Sequence, residues 1–174
     1  ILETVDGGDT WAAVRTGRSR LDPIHDLSFV DANNGWTIGL SGVLRTQDGE
    51  AKILAGGQSL MPLLAMRLAR PSLLVDLGRI EGLDSIREES GEIAIGAMTT
   101  KTTVERSELV RTRQPLFHEA TRLIAHPQIR NRGTIGGNIA TSSPAGDALP
   151  PLVAAGARIE LASASGSRSV PMSE

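Results

Sequence analysis

Two short glycine-rich segments constrain this chain more than any other feature of its sequence. The first is Ala55–Ser59 (AGGQS), which follows a short apolar strand predicted at Ala51–Ala55 and precedes a predicted helix. A strand, paired glycines and a helix in this order let backbone N–H groups converge on an anion, and the helix N-terminus adds partial positive charge. The segment contains neither a Walker sequence nor a G-x-G-x-x-G fingerprint. Taken alone, it is compatible with an anion site and with an ordinary turn.

The second segment, Asn131–Asn138 (NRGTIGGN), supplies another run of glycines together with a threonine hydroxyl and an asparagine amide. Two such segments in one small domain can hold a diphosphate from both sides, which is the ligand that the pair predicts. Arg130 and Arg132 would raise the local potential, or they are solvated loop charges; the sequence leaves both interpretations open.

The residues around the first segment predict a β–α–β unit. The strand Ala51–Ala55 is followed by a helix over Leu60–Ala69, which Ser59 can cap, and by a buried strand over Leu73–Leu77.

Alternating strands and helices continue beyond this unit. Thr102 and Glu105 form a capping-box signature for a helix that runs to about Arg113. A second helix shows apolar residues at Leu116, Ala120, Leu123 and Ile124, and should stop near His126 because Pro127 disfavours helical geometry before it. The remaining predicted elements are a strand at Glu92–Ala97, a helix at Ala148–Ala155, and a hairpin of Arg158–Ala162 with Ser167–Val170, turned at Ser165–Gly166.

Residues 1–49 follow a different pattern. Thr46–Gly49 (TQDG) partly echoes a segment that begins at Thr4, and Asp26–Asp31 and Gly35–Gly39 predict short strands around the turn Ala32–Asn34. The stretch from Asp31 to Gly39 resembles the Asp-box repeats of propellers such as the photosystem II assembly factors; an ordinary hairpin is the alternative. One blade cannot close a propeller, which needs about 4–8.

Composition excludes several classes of function. The chain has 174 residues, a formal net charge of −2 and no cysteine. This charge gives no reason to expect a nucleic-acid partner, and the apolar runs are too short to span a bilayer. Without cysteine the chain has no thiolate ligands for an iron–sulfur cluster, and a cytoplasmic location is the expectation.

Several separate motifs carry a resemblance to a known family. They are residues 51–63 (AKILAGGQSLMPL), 67–71 (RLARP), 74–77 (LVDL), 95–100 (IGAMTT) and 126–138 (HPQIRNRGTIGGN). In this order they resemble the FAD-binding medium subunit of the molybdenum hydroxylases, the carbon monoxide dehydrogenase and xanthine dehydrogenase family. The resemblance covers about residues 50–174.

The resemblance implies an α+β fold of the vanillyl-alcohol-oxidase (PCMH) type, with FAD between two small lobes. It also implies that the protein passes electrons from an iron–sulfur subunit, fed by a molybdenum-cofactor subunit, through the flavin to an external acceptor. No catalytic residue and no metal ligand is assigned. His118 and His126 are expected to be structural or solvent-facing, and His25 is expected in a loop with no neighbouring metal ligands. The positions that match cofactor contacts of the family are Ile53, Leu54, Ala55, Gly56, Gly57, Gln58, Ser59, Leu60, Ile124, Thr134, Ile135, Gly136, Gly137, Asn138 and Asp147.

Two departures from the family suggest a chimera or a truncated fragment. The blade-like segment 1–49 stands where the family has its own first strand and helix, and the C-terminal domain of the family does not follow the FAD-binding domain 50–174. One alternative is a folded chimera in which strands of residues 1–49 replace the lost edge of the flavin domain and no cofactor binds. The other is a protein-association module that pairs through the exposed strands of residues 1–49.

Overall fold

The computed structural model describes residues 2–3, 12–13, 24–29, 35–39, 42–46, 51–163 and 166–173. These residues form strands and helices in mixed order, and the α+β expectation fits this content. The strands are β1 (Leu2–Glu3), β2 (Ala12–Ala13), β3 (Ile24–Phe29), β4 (Gly35–Gly39), β5 (Gly42–Thr46), β6 (Ala51–Leu54), β7 (Leu73–Asp76), β8 (Ile86–Glu89), β9 (Glu92–Ile95), β10 (Arg158–Ser163) and β11 (Gly166–Pro171). The helices are α1 (Leu60–Ala65), α2 (Lys101–Arg106), α3 (Glu108–Arg113), α4 (Pro115–Leu123), α5 (Pro127–Arg130), α6 (Ile135–Thr141) and α7 (Leu149–Ala154).

The described residues divide into two compact units. The first contains β1 to β6, Leu60–Ile80 and Glu160–Ser169. Its main sheet has the strand order β2-β1-β7-β6, in which β6 and β7 are parallel and joined through α1. The predicted β–α–β unit is therefore present. Strand β1 adds antiparallel to the other side of β7, with Leu2 opposite Leu74 and Glu3 opposite Leu73.

A second sheet in the first unit is an antiparallel meander of β3, β4 and β5. The strands predicted at Asp26–Asp31 and Gly35–Gly39 correspond to β3 and β4. The predicted turn Ala32–Asn34 lies outside the described residues.

Helix α1 is shorter than predicted, because it ends at Ala65 rather than Ala69. Arg67 adopts a left-handed conformation, with φ of 56°. The amide of Leu68 donates to the Leu63 carbonyl at 2.9 Å, and the amide of Arg67 donates to the Leu64 carbonyl at 3.0 Å. This pattern is a Schellman motif, which satisfies the last carbonyls of a helix and stops it.

The second unit contains Ala55–Ser59, Glu81–Ile159 and Val170–Glu174. The single helix predicted from Thr102 to Arg113 is wrong: α2 and α3 are separate. Thr100 caps α2 by accepting from the Thr103 amide, and Ser107 ends α2 and caps α3 by accepting from the Val110 amide at 3.3 Å. The capping box at Thr102 and Glu105 does not form, because the helix begins earlier than expected.

The buried face of α4 also differs from the prediction. Leu116 and Leu123 are 55% and 85% exposed, whereas Phe117 and Thr121 are almost fully buried. The hydroxyl of Thr121 donates to the Phe117 carbonyl at 2.7 Å, so this polar side chain enters the interior with its hydrogen bond satisfied. The core of the unit combines α2, α3, α4, α6 and α7 through Val104, Val110, Phe117, Ile124, Ile135, Ala148 and Leu152.

The remaining elements follow the sequence more closely. Strand β9 and helix α7 lie within the predicted ranges, and β10 pairs with β11 as the predicted hairpin, whose turn lies partly outside the described residues. Strand β8, which pairs antiparallel with β9, and helix α5 were not predicted. Within the described residues, no helix is long and apolar enough to cross a membrane.

Candidate functional site

The first glycine segment contains a run of backbone amides that form no hydrogen bond with the described residues. The amides of Gly56, Gly57, Gln58 and Ser59 have no hydrogen-bond partner among the described residues. Gly57 holds a positive φ of 77°, which glycine adopts without strain. Gly56 and Gly57 are half-buried, whereas Gln58 and Ser59 are exposed. Consecutive unpaired N–H groups at a turn can bind an anion.

The second glycine segment is the start of a helix rather than a loop. Thr134 is the N-cap of α6, and its hydroxyl accepts from the Gly137 amide at 3.2 Å. The amide of Asn138 donates to the Thr134 carbonyl at 3.1 Å. These bonds use amides that would otherwise be open at the helix N-terminus.

Residues 97–101 hold the start of α6 from the side. The Ile135 amide donates to the Thr99 carbonyl at 2.9 Å, and the Gly136 amide donates to the Ala97 carbonyl at 2.8 Å. In return, the Lys101 amide donates to the Gly133 carbonyl at 2.9 Å. The first-turn amides of α6 are thus satisfied within the protein. The unpaired amides of the site belong to Gly56–Ser59.

The two glycine segments contact each other through backbone atoms. A Cβ on Gly56 would lie 2.0 Å from the Arg132 carbonyl oxygen, and a Cβ on Gly137 would lie 3.5 Å from the Ala55 Cβ. On the other side, a Cβ on Gly136 would lie 2.6 Å from the Ala97 Cβ. Side chains at Gly56 and Gly136 are therefore excluded by the protein itself.

Asn138 supplies a further unpaired group. Its side-chain oxygen is buried and has no hydrogen-bond partner among the described residues. A buried polar atom in this state costs about 1–3 kcal/mol unless a ligand satisfies it. The unpaired oxygen is an acceptor, so a ligand satisfies it with a hydroxyl or an N–H group. The amides of Gly56–Ser59 fit the phosphate of a ligand, and the Asn138 oxygen fits a hydroxyl or N–H donor of the same ligand.

Two charged side chains lie beside these segments. Lys101 is only 5% exposed, and its Cδ is 3.9 Å from the position of a Cβ on Gly133. Burial lowers the pKa of the Lys101 ammonium, and the carboxylate of Asp147 opposes that shift. Asp147 itself is exposed. Sequence reasoning missed Lys101, because a lysine in the first turn of a helix is ordinarily a solvated surface residue.

The arginines of the second segment have different roles. Arg130 donates to the Glu105 carboxylate at 2.9 Å, and to the carbonyls of Ile124 and Ala125 at 3.2 and 2.9 Å. Arg130 therefore has a structural role: its ion pair with Glu105 and its bonds to the two carbonyls fix the chain between α4 and α5. Arg132 is exposed.

The other predicted site residues are more dispersed. Ile53 and Leu54 lie in β6 and Leu60 begins α1, all in the first unit. Ile124 is 4% exposed and belongs to the core of the second unit. His118 is buried, and its Nε2 donates to the Glu105 carbonyl at 2.9 Å, in line with a structural role. No cluster of metal-ligating side chains occurs in the part of the chain that the structure describes.

Comparison with known proteins gives a consistent result. The family described as "FAD binding domain in molybdopterin dehydrogenase" matches residues 40–174. The alpha subunit of the 6-hydroxypseudooxynicotine dehydrogenase complex of Paenarthrobacter nicotinovorans is 47% identical over 125 residues, which are 72% of this chain and 42% of that subunit. The carbon monoxide dehydrogenase medium chain of Hydrogenophaga pseudoflava is 47% identical over 122 residues, 70% of this chain and 42% of the relative.

A solved structure shows the same similarity. The carbon monoxide dehydrogenase of Hydrogenophaga pseudoflava that lacks the Mo-pyranopterin moiety of its molybdenum cofactor aligns with a TM-score of 0.70 at 45% identity. The alignment covers 72% of this chain and 44% of that one.

This protein is a flavin-binding domain with FAD as its cofactor. It belongs to the family of FAD-binding domains of molybdopterin dehydrogenases, the family of the carbon monoxide and xanthine dehydrogenase medium subunits. The chain spans less than half the length of the relatives above.

Proposed function

We propose that this chain binds the diphosphate of FAD between its two glycine segments, as part of a multi-subunit oxidoreductase. The observation that carries the proposal is the run of unpaired amides at Gly56–Ser59, which lies against the capped start of α6. A diphosphate supplies the acceptors that these amides lack. The orphaned side-chain oxygen of Asn138 would accept from a hydroxyl group of the cofactor.

The proposed FAD contacts extend along both segments. They are the residues from Ile53 to Leu60 and from Thr134 to Asn138, with Asp147 and Ile124 as additional contacts. The flavin supplies the redox chemistry, accepting and releasing electrons at its ring system. The protein residues bind and orient the cofactor, and none is assigned a catalytic proton transfer.

We propose that electrons arrive from an iron–sulfur subunit served by a molybdenum-cofactor subunit, and leave to an external acceptor. The chain has no cysteine, so the thiolate ligands of a cluster would have to come from a partner. The net charge of −2 supports no nucleic-acid partner, and the lack of cysteine favours a cytoplasmic location.

The proposed architecture is the PCMH type over residues 50–174, preceded by a blade-like segment over residues 1–49. The meander of β3, β4 and β5 supports the proposal of a blade-like segment, because a propeller blade is built from adjacent antiparallel strands.

FAD binding tests the proposal directly. We expect the purified chain to be yellow, or to quench the fluorescence of added FAD in a saturable manner, and to release FAD on denaturation. A colourless protein that leaves FAD fluorescence unchanged would support the alternative of a chimeric fragment without cofactor. Sedimentation of the same sample distinguishes a monomer from a module that associates through its strands.

A further inference from the structure

We infer that the Lys101 ammonium pairs with the bound diphosphate and offsets part of its negative charge. This inference rests on the proposed function and assigns a residue that the glycine motifs do not contain. Its basis is the position, burial and isolation of the Lys101 side chain.

The position of Lys101 joins it to both glycine segments. Its backbone amide donates to the Gly133 carbonyl at 2.9 Å. A Cβ on Gly133 would lie 3.6 Å from the Gln58 Cγ and 3.9 Å from the Lys101 Cδ. The lysine stem and the side chain of the first segment therefore pack on the same face of Gly133.

Among the described residues, the charge of Lys101 has no ion-pair partner. The side chain is 5% exposed, and within the described part of the chain the ammonium makes no hydrogen bond and no ion pair. Asp147 acts on it electrostatically without forming an ion pair. Partial desolvation of an ammonium that has no ion pair is unfavourable, and it lowers the pKa of Lys101. A phosphate group supplies the missing counter-charge.

The other cations of the site do not fill this role. Among residues 97–101 and 127–138 the cations are Lys101, Arg130 and Arg132. Arg130 is paired with Glu105 and is 12% exposed at its side chain. Arg132 is exposed to solvent, where an interaction with an anion is screened.

The test compares Lys101→Met with Arg132→Met, which removes the same charge from an exposed neighbour. FAD affinity is measured by quenching of flavin fluorescence at several salt concentrations. We expect Lys101→Met to weaken FAD binding about 10- to 100-fold, as for the loss of a charge-assisted hydrogen bond, and to flatten its salt dependence. Arg132→Met should change the affinity less than about threefold, because its charge is screened.

A second measurement uses the unaltered chain. Because the pKa of Lys101 is lowered in the free protein, an anion that restores it causes proton uptake on binding at pH values between the lowered pKa and 10.5. FAD affinity should therefore fall as the pH rises through this window. Calorimetry in two buffers of different ionisation enthalpy detects the uptake. Among the described residues, the carboxylate of Asp147 acts on the charge of Lys101. Glu105, on the same helix as Lys101, is already paired with Arg130.

The outcomes separate this inference from the proposed function. If the unaltered chain does not bind FAD, the proposed function fails. If it binds FAD while Lys101→Met binds equally well, with unchanged salt dependence, the function stands and the role of Lys101 is refuted. Should Lys101→Met fail to fold, proton uptake by the unaltered chain decides, and its absence overturns the inference.

Discussion

At the scale of single residues, the glycines of the site serve different purposes. Gly56 permits a close approach, since its missing Cβ leaves room for the Arg132 carbonyl. Gly57 permits a left-handed backbone. Gly137 leaves space for the Thr134 hydroxyl that caps α6, because a Cβ there would lie 2.7 Å from that oxygen. A single substitution therefore probes one of these purposes and leaves the others in place.

Gly57 offers the most specific test of the anion site. Gly57→Ala places a Cβ on a residue with φ of 77°, which costs about 1–2 kcal/mol and favours a rearranged turn. We expect loss of FAD affinity by at least tenfold in fluorescence titrations, because the neighbouring amides would no longer converge.

The matched control is Gly82→Ala. Gly82 has a φ of 82° and nothing within 4 Å of its would-be Cβ, so it carries a similar strain outside the glycine segments. Both variants should lose similar thermal stability, and only Gly57→Ala should lose FAD. Equal FAD affinities in the two variants would remove Gly57 from the site.

The sequence marks the first glycine segment as a candidate anion site because its chemistry is local, whereas it predicts a loop where the second segment begins α6. Strand, glycine pair and helix are contiguous, so the order of residues alone marks Gly56–Ser59 as a candidate anion site. The roles of Lys101 and Arg130 depend on burial and on partners distant in the chain, such as Glu105, and local pattern carries no signal for them. The clamp from residues 97–101 likewise depends on contacts made only in the folded chain.

At the scale of elements, helix α4 shows how periodicity can select the wrong face. The predicted apolar stripe was Leu116, Ala120, Leu123 and Ile124. Ile124 is buried, but Leu116 and Leu123 are exposed, and the helix turns Phe117 and Thr121 inward. The phenyl ring has more apolar surface to bury, and Thr121 satisfies its hydroxyl within the helix. An analysis of apolar periodicity assigns threonine to the exposed face and leucine to the buried face, so it could not predict the buried face of α4 that contains Thr121.

Substitutions on the two faces of α4 measure the difference. Phe117→Ala should lower the free energy of unfolding by about 3–5 kcal/mol, because it opens a cavity in the core. Leu123→Ala removes a side chain that is 85% exposed and should change stability by less than about 0.5 kcal/mol. Urea unfolding of both variants provides the measurement, and a larger loss for Leu123→Ala would contradict the observed face.

The ends of helices were predicted less well than their existence. α1 stops early through a Schellman motif at Arg67, a residue with no side-chain preference for a left-handed conformation. α2 and α3 separate at Ser107, which serves both helices, and the sequence offers Thr100, Thr102, Thr103 and Ser107 as competing caps. Packing decides among such neighbours.

At the scale of the whole molecule, the N-terminal strands are joined to the sheet of the β–α–β unit. β1 pairs with β7, whose other side pairs with β6. Pairing of the segment with the flavin domain was one of the alternatives from the sequence, but the partner strand and the register were not predicted, because strand partners distant in the chain have no local signature. The segment is therefore expected to contribute to stability.

Deletion of residues 1–49 tests this contribution. A chain that begins at Glu50 would leave β7 without β1, and we expect a lower thermal midpoint or aggregation through the exposed strand edge. Each lost kcal/mol corresponds to a decrease of about 2–4 °C for a chain of this size. A chain that begins at Pro23, which keeps β3 to β5, separates the loss of β1 and β2 from the loss of the meander. An unchanged midpoint for the chain from Glu50 would show that the segment makes no contribution.

The bonds that satisfy the first-turn amides of α6 also bear on how FAD would associate. Because Ala97, Thr99 and Thr134 already hold this helix start, little conformational entropy remains to be lost there when a ligand arrives. Association at that half of the site therefore needs no preceding folding step. The residues free to adjust are those of Gly56–Ser59, and any slow phase in the association kinetics would originate in that turn.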